Sequence, residues 1–442
     1  MEHFKMEVSG SIRRILMKKS IIFRYFGMVL LIAFFGLNIT QAQSKELLIW
    51  HYERDNAMDA AWQVAMDDFA KTHPRVNVKF ERKVFEQIQE TARMILNSRA
   101  CPDVMYINKG NSTCGIYAKD GLITPLDEVA VKYGWDKILK PSIQTTCRYD
   151  QNGIMGSGKL YGVTNYGEFV LVYYNKGWFN KYNLEVPTSL EEFEKVCEVF
   201  VKNKVTPMVI GGSDRWPQTQ NWYEFALYKA ERKFISDFQL LQDDIDFKGP
   251  EFSFATDKFL SFVKNGYFER NSNGIKYDDA NNAFYLGEYP MILTGSWLFG
   301  AVMEQVKTFD WGVFIMPNKK YNTGSGGNLW IVPQNAKNKE LAYEFINLTL
   351  QPKYQTIMAE AGGIPVNADL NLIKDQKIRD LNALFTEIVE KDGLAFYPDW
   401  PVPGFMDALG GGLQNLFTGR MNKERFLNSI SNTYYDYKNT IK

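Results

Sequence analysis

The sequence predicts an α/β protein of two lobes, each a mostly parallel sheet flanked by helices. Three observations carry this. Residues 46–107 alternate strand, helix, strand, helix, strand, the βαβ grammar of a parallel sheet covered by helices. About 400 residues follow an N-terminal export segment, more than one hydrophobic core organises, so two domains are expected. Finally, Lys159–Phe179 contains the apolar run Phe169-Val-Leu-Val-Tyr-Tyr, the length of one buried strand. Gly162, Tyr166, Gly167 and Glu168 precede it and supply a ring, a carboxylate and two permissive backbone points. The chain is expected to cross first between the lobes here, with the bound molecule beside the crossing.

The N-terminus reads as an export signal. Lys18, Lys19 and Arg24 precede an apolar run from Tyr25 to Leu37, followed by Asn38-Ile-Thr-Gln-Ala-Gln. These are the charged, apolar and small-residue zones of a signal segment over residues 1–42, with cleavage after Ala42 and an alternative start at Met17. The uncharged run is about 13 residues, short of the roughly 20 that span a bilayer. No cysteine follows it to carry a lipid, so a soluble product in the periplasm or outside the cell is expected. Without residues 1–42 the chain keeps 45 Lys/Arg against 49 Asp/Glu. That mild acidity argues against nucleic acid or anionic lipid as a partner.

Cysteines stand at 101, 114, 147 and 197. Export permits disulfides, and Cys101 and Cys114, flanking a strand-to-helix connection, are candidates for a bridge or for buried thiols. No zinc-ribbon spacing is present and His51 and His73 are the mature chain's imidazoles, so neither metal nor cofactor is expected.

The elements follow in order. Glu46–His51 is a strand. Residues 57–72 put Trp62, Ala65, Met66 and Phe69 on one helical face, and His73-Pro74 ends that helix. Val76–Phe80 alternates as a strand, and 84–98 forms a helix with Ile88, Ala92, Ile95 and Leu96 as its stripe. Asp103–Ile107 is the third strand. Residues 116–145 read as a helical connection. Thr188 and Glu191 form a capping box for a helix ending near Asn203. Pro207–Gly211 reads as a strand, 219–239 as one helix, Phe254–Asn265 and Ala280–Gly287 as two more. Strands are expected at Pro290–Thr294 and Trp311–Phe314, a hairpin-like return over Pro317–Gly327, and an apolar segment over Asn328–Pro333. Lys339–Leu350 and most of 409–440 read as helix, with breaks at Gly362-Gly-Ile-Pro and Gly419.

Sheets of this kind bind ligands beyond the carboxyl ends of their strands. The loops there are His51-Tyr-Glu-Arg-Asp-Asn and Asn108-Lys-Gly-Asn-Ser. Neither holds a dinucleotide or nucleoside-triphosphate fingerprint, and no GxSxG, HExxH or coupled Ser–His–Asp set appears. Glu53, Asp55, Glu168 and Asp399 form the acid pool from which a glycoside hydrolase would draw its pair. Rings accumulate beside polar groups instead: Tyr52, Tyr166, Trp216, Trp222, Trp297 and Trp400. A sugar presents an apolar C–H face and a rim of hydroxyls, and so calls for a flat ring with amides and carboxylates around it. Trp222 lies in a helical stripe and belongs to the core.

With these motifs in place, the chain resembles the extracellular solute-binding proteins of ABC importers, in the sugar-binding branch that includes maltose-binding protein. The resemblance covers nearly all of 45–440. It rests on Cys101-Pro-Asp-Val-Met-Tyr, Gly121-Leu-Ile-Thr-Pro-Leu-Asp, Lys159-Leu-Tyr-Gly-Val-Thr with Val172-Tyr-Tyr-Asn-Lys, Pro187-Thr-Ser-Leu-Glu-Glu-Phe, Gly287-Glu-Tyr-Pro-Met-Ile-Leu-Thr-Gly-Ser-Trp, and Gly327-Asn-Leu-Trp-Ile-Val-Pro. It implies the periplasmic binding protein fold, with lobe 1 formed by 43–161 and 327–361 and lobe 2 by 162–326 and 362–442. Crossings are implied near 160–165, 322–328 and 361–366, together forming a hinge. It implies a monomer that captures a carbohydrate and docks on the membrane subunits of an ABC permease, without catalysis. Implied ligand contacts are His51, Tyr52, Glu53, Asn108, Asn111, Tyr166, Glu168, Trp297, Asn328 and Trp400; Trp216, in its glycine-rich loop, joins them from the residue reading. Cys101 and Cys114 depart from the family pattern. The alternatives are the same fold around a polyamine or other non-sugar solute, and a secreted polysaccharide-degrading enzyme.

Overall fold

The structure, a computed structural model, describes residues 45–441 apart from Asp55. The expected signal segment lies outside the described residues. These divide into a small unit, Lys45–Glu46 with Arg75–Asn77, and a large one holding the rest. Among the described residues no helix is long and apolar enough to cross a membrane.

Eleven strands are named in chain order: β1 Lys45–His51, β2 Val76–Arg82, β3 Val104–Ile107, β4 Arg148–Tyr149, β5 Lys159–Leu160, β6 Tyr166–Asn175, β7 Met291–Gly295, β8 Trp311–Phe314, β9 Gly324–Gly326, β10 Leu329–Ile331 and β11 Ile364–Pro365. The first sheet has the order β10-β3-β1-β2. β1 and β3 run parallel, with Ile49 opposite Val104, while β10 returns antiparallel on β3. Every side chain of β3 is buried, as expected of a strand covered on both faces. Trp62 from the helix Ala57–Thr72 meets Tyr106 of β3 and Trp330 of β10, with centroids 4.9 and 4.6 Å away. Asn165, its amide turned oxygen-inward, accepts from both indole N–H groups at 3.0 Å. The chain leaving the first sheet is thereby anchored to that sheet's aromatic core.

The second sheet is built on β6, ten residues long and buried at nine of them. β7 and β8 flank its second half, with Val172 opposite both Leu293 and Phe314. β9 and β11 flank its first half, where Gly167 faces both Gly326 and Ile364. All four pairings are antiparallel, which corrects the expectation of a second mostly parallel sheet. Hydrophobic pattern sets which face of a strand is buried but not which way its partner runs, and here each partner returns reversed. Phe169, Leu171 and Tyr173 enter a core with Phe284, Phe299, Trp311, Leu381 and Phe385.

Several boundaries differ from expectation. The capping box is Ser189 and Glu192: Ser189 accepts from Glu192 N at 3.2 Å, and the Glu192 carboxylate takes the Thr188 N–H and hydroxyl at 2.7 Å each. The single helix expected over 219–239 is two, Trp216–Ala226 and Arg232–Leu240, with extended Glu231 starting the second. Pro207–Gly211 makes only isolated parallel bridges, from Met208 to Phe268 and Met291. The helices Pro352–Glu360 and Gln376–Glu390 have no counterpart in the sequence reading. Cys101, Cys114, Cys147 and Cys197 are four buried free thiols, so the candidate 101–114 bridge is not formed.

One buried ion pair fixes the approach to β9. Lys319 and Glu224 meet at 2.9 Å with both side chains fully buried. Lys319 also donates to Tyr321 O and Asn322 Oδ1, and Glu224 accepts from Thr323 N. Glu224→Gln would leave an uncompensated buried ammonium and should cost about 3 kcal/mol or more. Lys319→Met/Glu224→Leu together should recover most of that loss. Urea unfolding of the wild type and these two variants checks it, and a double variant no more stable than Glu224→Gln would contradict the coupling.

Candidate functional site

Where β1 and β3 end, their loops bring Tyr52, Glu53 and Asn108 toward the start of β6. Tyr52 packs against Tyr106 at 4.8 Å and against Phe85, the first residue of the helix Phe85–Asn97, at 5.0 Å. Glu53 is buried and takes the Asn56 side-chain N–H at 2.5 Å. On β6, the Tyr166 hydroxyl donates to Glu168 at 3.0 Å and accepts from Asn328 N at 3.2 Å. Gly327 lies directly under the Tyr166 ring; a Cβ there would stand 2.0 Å from it, so only glycine fits. The Ser325 hydroxyl approaches Glu168 from β9 at 3.5 Å.

From the other side come the residues around Trp400. Its indole N–H donates to Asn108 Oδ1 at 3.1 Å, and Asn108 Nδ2 donates to Asp399 at 3.0 Å. Gly110, at φ +89°, lets the Trp400 backbone and ring approach where any side chain would collide. Asn111 donates to the carbonyls of Pro401 and Gln239 at 2.9 and 3.0 Å and accepts from Met155 N at 2.7 Å. The amides of Asn108 and Asn111, expected to match ligand hydroxyls, are therefore occupied by protein.

Aromatic rings continue outward from Trp400. Trp400 to Tyr397 is 5.2 Å, Tyr397 to Trp297 is 6.3 Å, and Trp297 to Trp216 is 5.9 Å. Trp400 is buried, whereas Trp297 and Trp216 are half-buried. The Trp297 N–H donates to Tyr277 OH at 2.8 Å, which sets the tilt of its ring. Two residues aiming this wall have unusual backbones: Phe396, before Tyr397, at φ +61°, and Arg215, before Trp216, at φ +66°. Such conformations cost roughly 1–3 kcal/mol each and concentrate at functional positions.

The structure thus gathers Tyr52, Glu53, Asn108, Tyr166, Glu168, Asn328 and Trp400 at one place, and joins Trp297 and Trp216 to it through Tyr397. His51 stands apart: it is stacked on Phe80 at 4.1 Å and edge-on to Trp62, fully buried. Trp222 is core, as expected, with its N–H on Thr256. Asp55 lies outside the described residues. Sequence reasoning missed Tyr106, Ser325 and Tyr397. Tyr106 sits two residues before Asn108 at the strand's end, and Tyr397 in the same Phe-Tyr-Pro-Asp-Trp segment as Trp400, so position alone carried a signal for both.

Chemically the site is acid-rich and unsatisfied. The hydroxyls of Tyr52, Tyr106 and Tyr397 are buried without a well-formed hydrogen bond. Burial pushes the Glu53 carboxyl up to about 8, against the Asn56 hydrogen bond and helped by the charges of Glu168 and Asp59. Burial raises Glu168 to about 7, opposed by Lys109, Tyr166, Tyr397 and Ser325. Asp399 rises to about 6, again through burial. Burial likewise holds all four site tyrosines protonated. Lys109, the buried cation of this region, spends its ammonium on Thr146 Oγ1 at 2.7 Å and on the Gly326 carbonyl.

These shifts give a stability trend with a definite sign. A carboxyl raised on folding stabilises fully below its unfolded value and loses that contribution as pH climbs through its folded value. Unfolded acids near pH 4 therefore make the ligand-free protein lose stability up to about pH 8 through Glu53 and Glu168. His51 works oppositely, because burial lowers it to about 4 and acid favours unfolding below its ordinary value of 6.5. Between pH 6.5 and about 8 the acids act alone. The melting temperature should rise from the upper to the lower limit, and Glu53→Gln/Glu168→Gln should flatten that rise; an equal slope in both proteins would contradict the assignment.

The family model for bacterial extracellular solute-binding proteins matches residues 55–356. Among curated proteins, the multiple sugar-binding protein of Streptococcus mutans is 24% identical over 355 residues, covering 76% of this chain and 79% of its own. The diacetylchitobiose binding protein DasA of Streptomyces coelicolor is 24% identical over 341 residues, 73% of each chain. Among solved structures, a chitin oligosaccharide binding protein superposes with a TM-score of 0.75 at 18% identity, over 90% of this chain and all of its own. The fold is therefore that of the periplasmic binding proteins, a mixed α/β architecture with two sheet-and-helix regions. With a family match across more than half its length, this chain belongs to the bacterial extracellular solute-binding proteins.

Proposed function

We propose that this chain is an exported binding protein that captures a sugar or oligosaccharide between two lobes and delivers it to an ABC importer. The observation that carries the reading is the row of rings from Trp216 to Trp400 ending at buried tyrosine hydroxyls and carboxyls. Flat rings take the C–H faces of pyranoses, and the polar end takes their hydroxyls. The names of the two curated relatives, one for multiple sugars and one for diacetylchitobiose, support the ligand class. Function here is capture without chemistry, as membership of a solute-binding family implies.

The lobes we assign are 43–161 with 327–361 and 162–326 with 362–442. Supporting this, β10 completes the first sheet, while β7, β8, β9 and β11 gather on β6. Val163 pairs with Trp330, and Gly167 with both Gly326 and Ile364, so the three connecting segments lie side by side, as a hinge requires. Contacts from Asn108, Asn111 and Ser112 to residues 399–401 would then join one lobe to the other and belong to the closed form, which ligand would favour. On this reading the mature protein is a periplasmic or secreted monomer, cleaved near Ala42, that docks on permease membrane subunits. The second reading, the same fold around a polyamine, gains from the three acids of the site.

A thermal-shift screen of the mature protein against a sugar panel should reveal a ligand that raises the melting temperature. Trp297→Ala, at a half-buried ring, should then weaken that ligand about tenfold or more by calorimetry while the fold survives. An unchanged affinity would remove Trp297 from the site. Trp400→Ala is a poorer probe, since deleting a buried indole should itself cost about 3–5 kcal/mol.

A further inference from the structure

The helix Trp216–Ala226 carries a polar side chain that the fold leaves without a partner. Trp216, Gln220, Tyr223 and Glu224 stand at i, i+4, i+7 and i+8, so they share one stripe of that helix. Contacts place both ends of the stripe. Trp216 meets Tyr277 at 4.5 Å and Trp297 at 5.9 Å, on the ring wall. At the other end the Tyr223 hydroxyl donates to Ala395 O at 3.2 Å, and Glu224 accepts from Thr323 N at 3.0 Å. Gln220 therefore lies between the half-buried indoles and the segment that continues from Ala395 into Tyr397.

Gln220 is 6% exposed, and its side-chain oxygen has no hydrogen-bond partner among the described residues. Its neighbours on the helix are anchored: Thr219 donates to Trp216 O and Asn221 to Pro217 O at 2.8 Å each, and Gln218 donates to Asn273 at 2.6 Å. Tyr397 is held by its backbone, its carbonyl accepting from Gln239 at 3.0 Å, while its buried hydroxyl stays unpaired. An amide and a hydroxyl thus follow the ring wall inward, both ready for a partner. A buried amide left unpaired is destabilising, and a methionine would fill much the same space without that penalty. Its presence is explained if the partner arrives with the ligand.

We propose that Gln220 is a specificity-determining contact whose amide takes two hydroxyls on adjacent carbons of the sugar ring that lies against Trp297 and Trp216. An amide offers an acceptor and a donor side by side, and a pair of adjacent hydroxyls returns a donor and an acceptor. Ring faces accept many sugars, whereas a buried amide rejects one that leaves it unpaired. This rests on the sugar reading above and adds to it the residue that selects the hydroxyl pattern.

Two measurements on Gln220→Met test this. The first is made without ligand. The variant should melt at or above the wild-type temperature, because an unpaired amide gives way to an apolar side chain of similar size. A fall of several degrees would make Gln220 a structural residue and overturn the proposal. The second is calorimetric titration of both mature proteins with maltotriose, cellotriose, xylotriose and triacetylchitotriose. The sugar that wild type binds most tightly should bind the variant about tenfold or more weakly, the scale of two neutral hydrogen bonds. Monodeoxy derivatives of that sugar complete a double cycle: wild type should distinguish at least one of them from its parent, and Gln220→Met should not. Equal affinity in the two proteins, or equal discrimination by both, would overturn the role of Gln220 and leave the sugar reading intact. Failure of wild type to bind any of the four sugars would overturn the sugar reading and this proposal with it, an outcome read from wild type alone.

Discussion

A carboxyl group sits near the start of a strand that is otherwise apolar, aromatic or glycine up to its last residue, and the surrounding structure is arranged to tolerate it. Glu168 is held by Tyr166 from its own strand and approached by Ser325 from β9. Burying an acid is costly, and the charge of Lys109 with hydrogen bonds from hydroxyls repays only part of that. β6 can hold such a residue because its apolar half is locked by β7 along Val170 to Tyr174 and by β8 from Val172 on. The first half is clamped by short strands, with glycine facing glycine at 167 and 326. Stability is thus supplied by one end of the strand and used at the other.

The same logic extends outward. Each loop of the site is fixed by a group that has no further capacity for a ligand. Asn111 spends its amide on three backbone partners, Asn108 bridges Trp400 and Asp399, and Asn165 receives two indoles. What remains unspent lies toward the middle: tyrosine hydroxyls, carboxyls and ring faces. Such a division between positioning groups and groups held in reserve is what preorganised recognition needs.

Much of the fold was legible in the sequence because hydrophobic period reports burial directly. Ile88, Ala92 and Leu96 form a buried helical stripe, and Ile49 and Val104 lie on strands of one sheet, as read. Strand direction was not legible, since β7 and β8 carry the same apolar signature whichever way they run, and β9 and β11, of three and two residues, carry none. The helix Gln376–Glu390 shows Ile378, Leu381, Phe385 and Ile388 at helical spacing, so its signal is present in the sequence. For the site, Tyr52, Glu53, Tyr166 and Glu168 were reachable because they bracket apolar strands. His51 was not separable from them by sequence, as one residue of strand phase decides whether a side chain faces the core or the loop. The amides misled for another reason: which groups an Asn satisfies depends on backbone carbonyls brought from residues 239 and 401, invisible to local pattern.

Phe396 and Arg215 hold left-sided backbone angles at the two ends of the ring wall. Glycine at either position would relax the backbone, although at 396 it would also remove the ring stacked on Trp400 at 6.1 Å. It would also release the aim of Tyr397 or Trp216. Robustness and recognition are therefore opposed at Arg215, and a selection for heat resistance alone would drift there toward a sturdier molecule with a blunter grip.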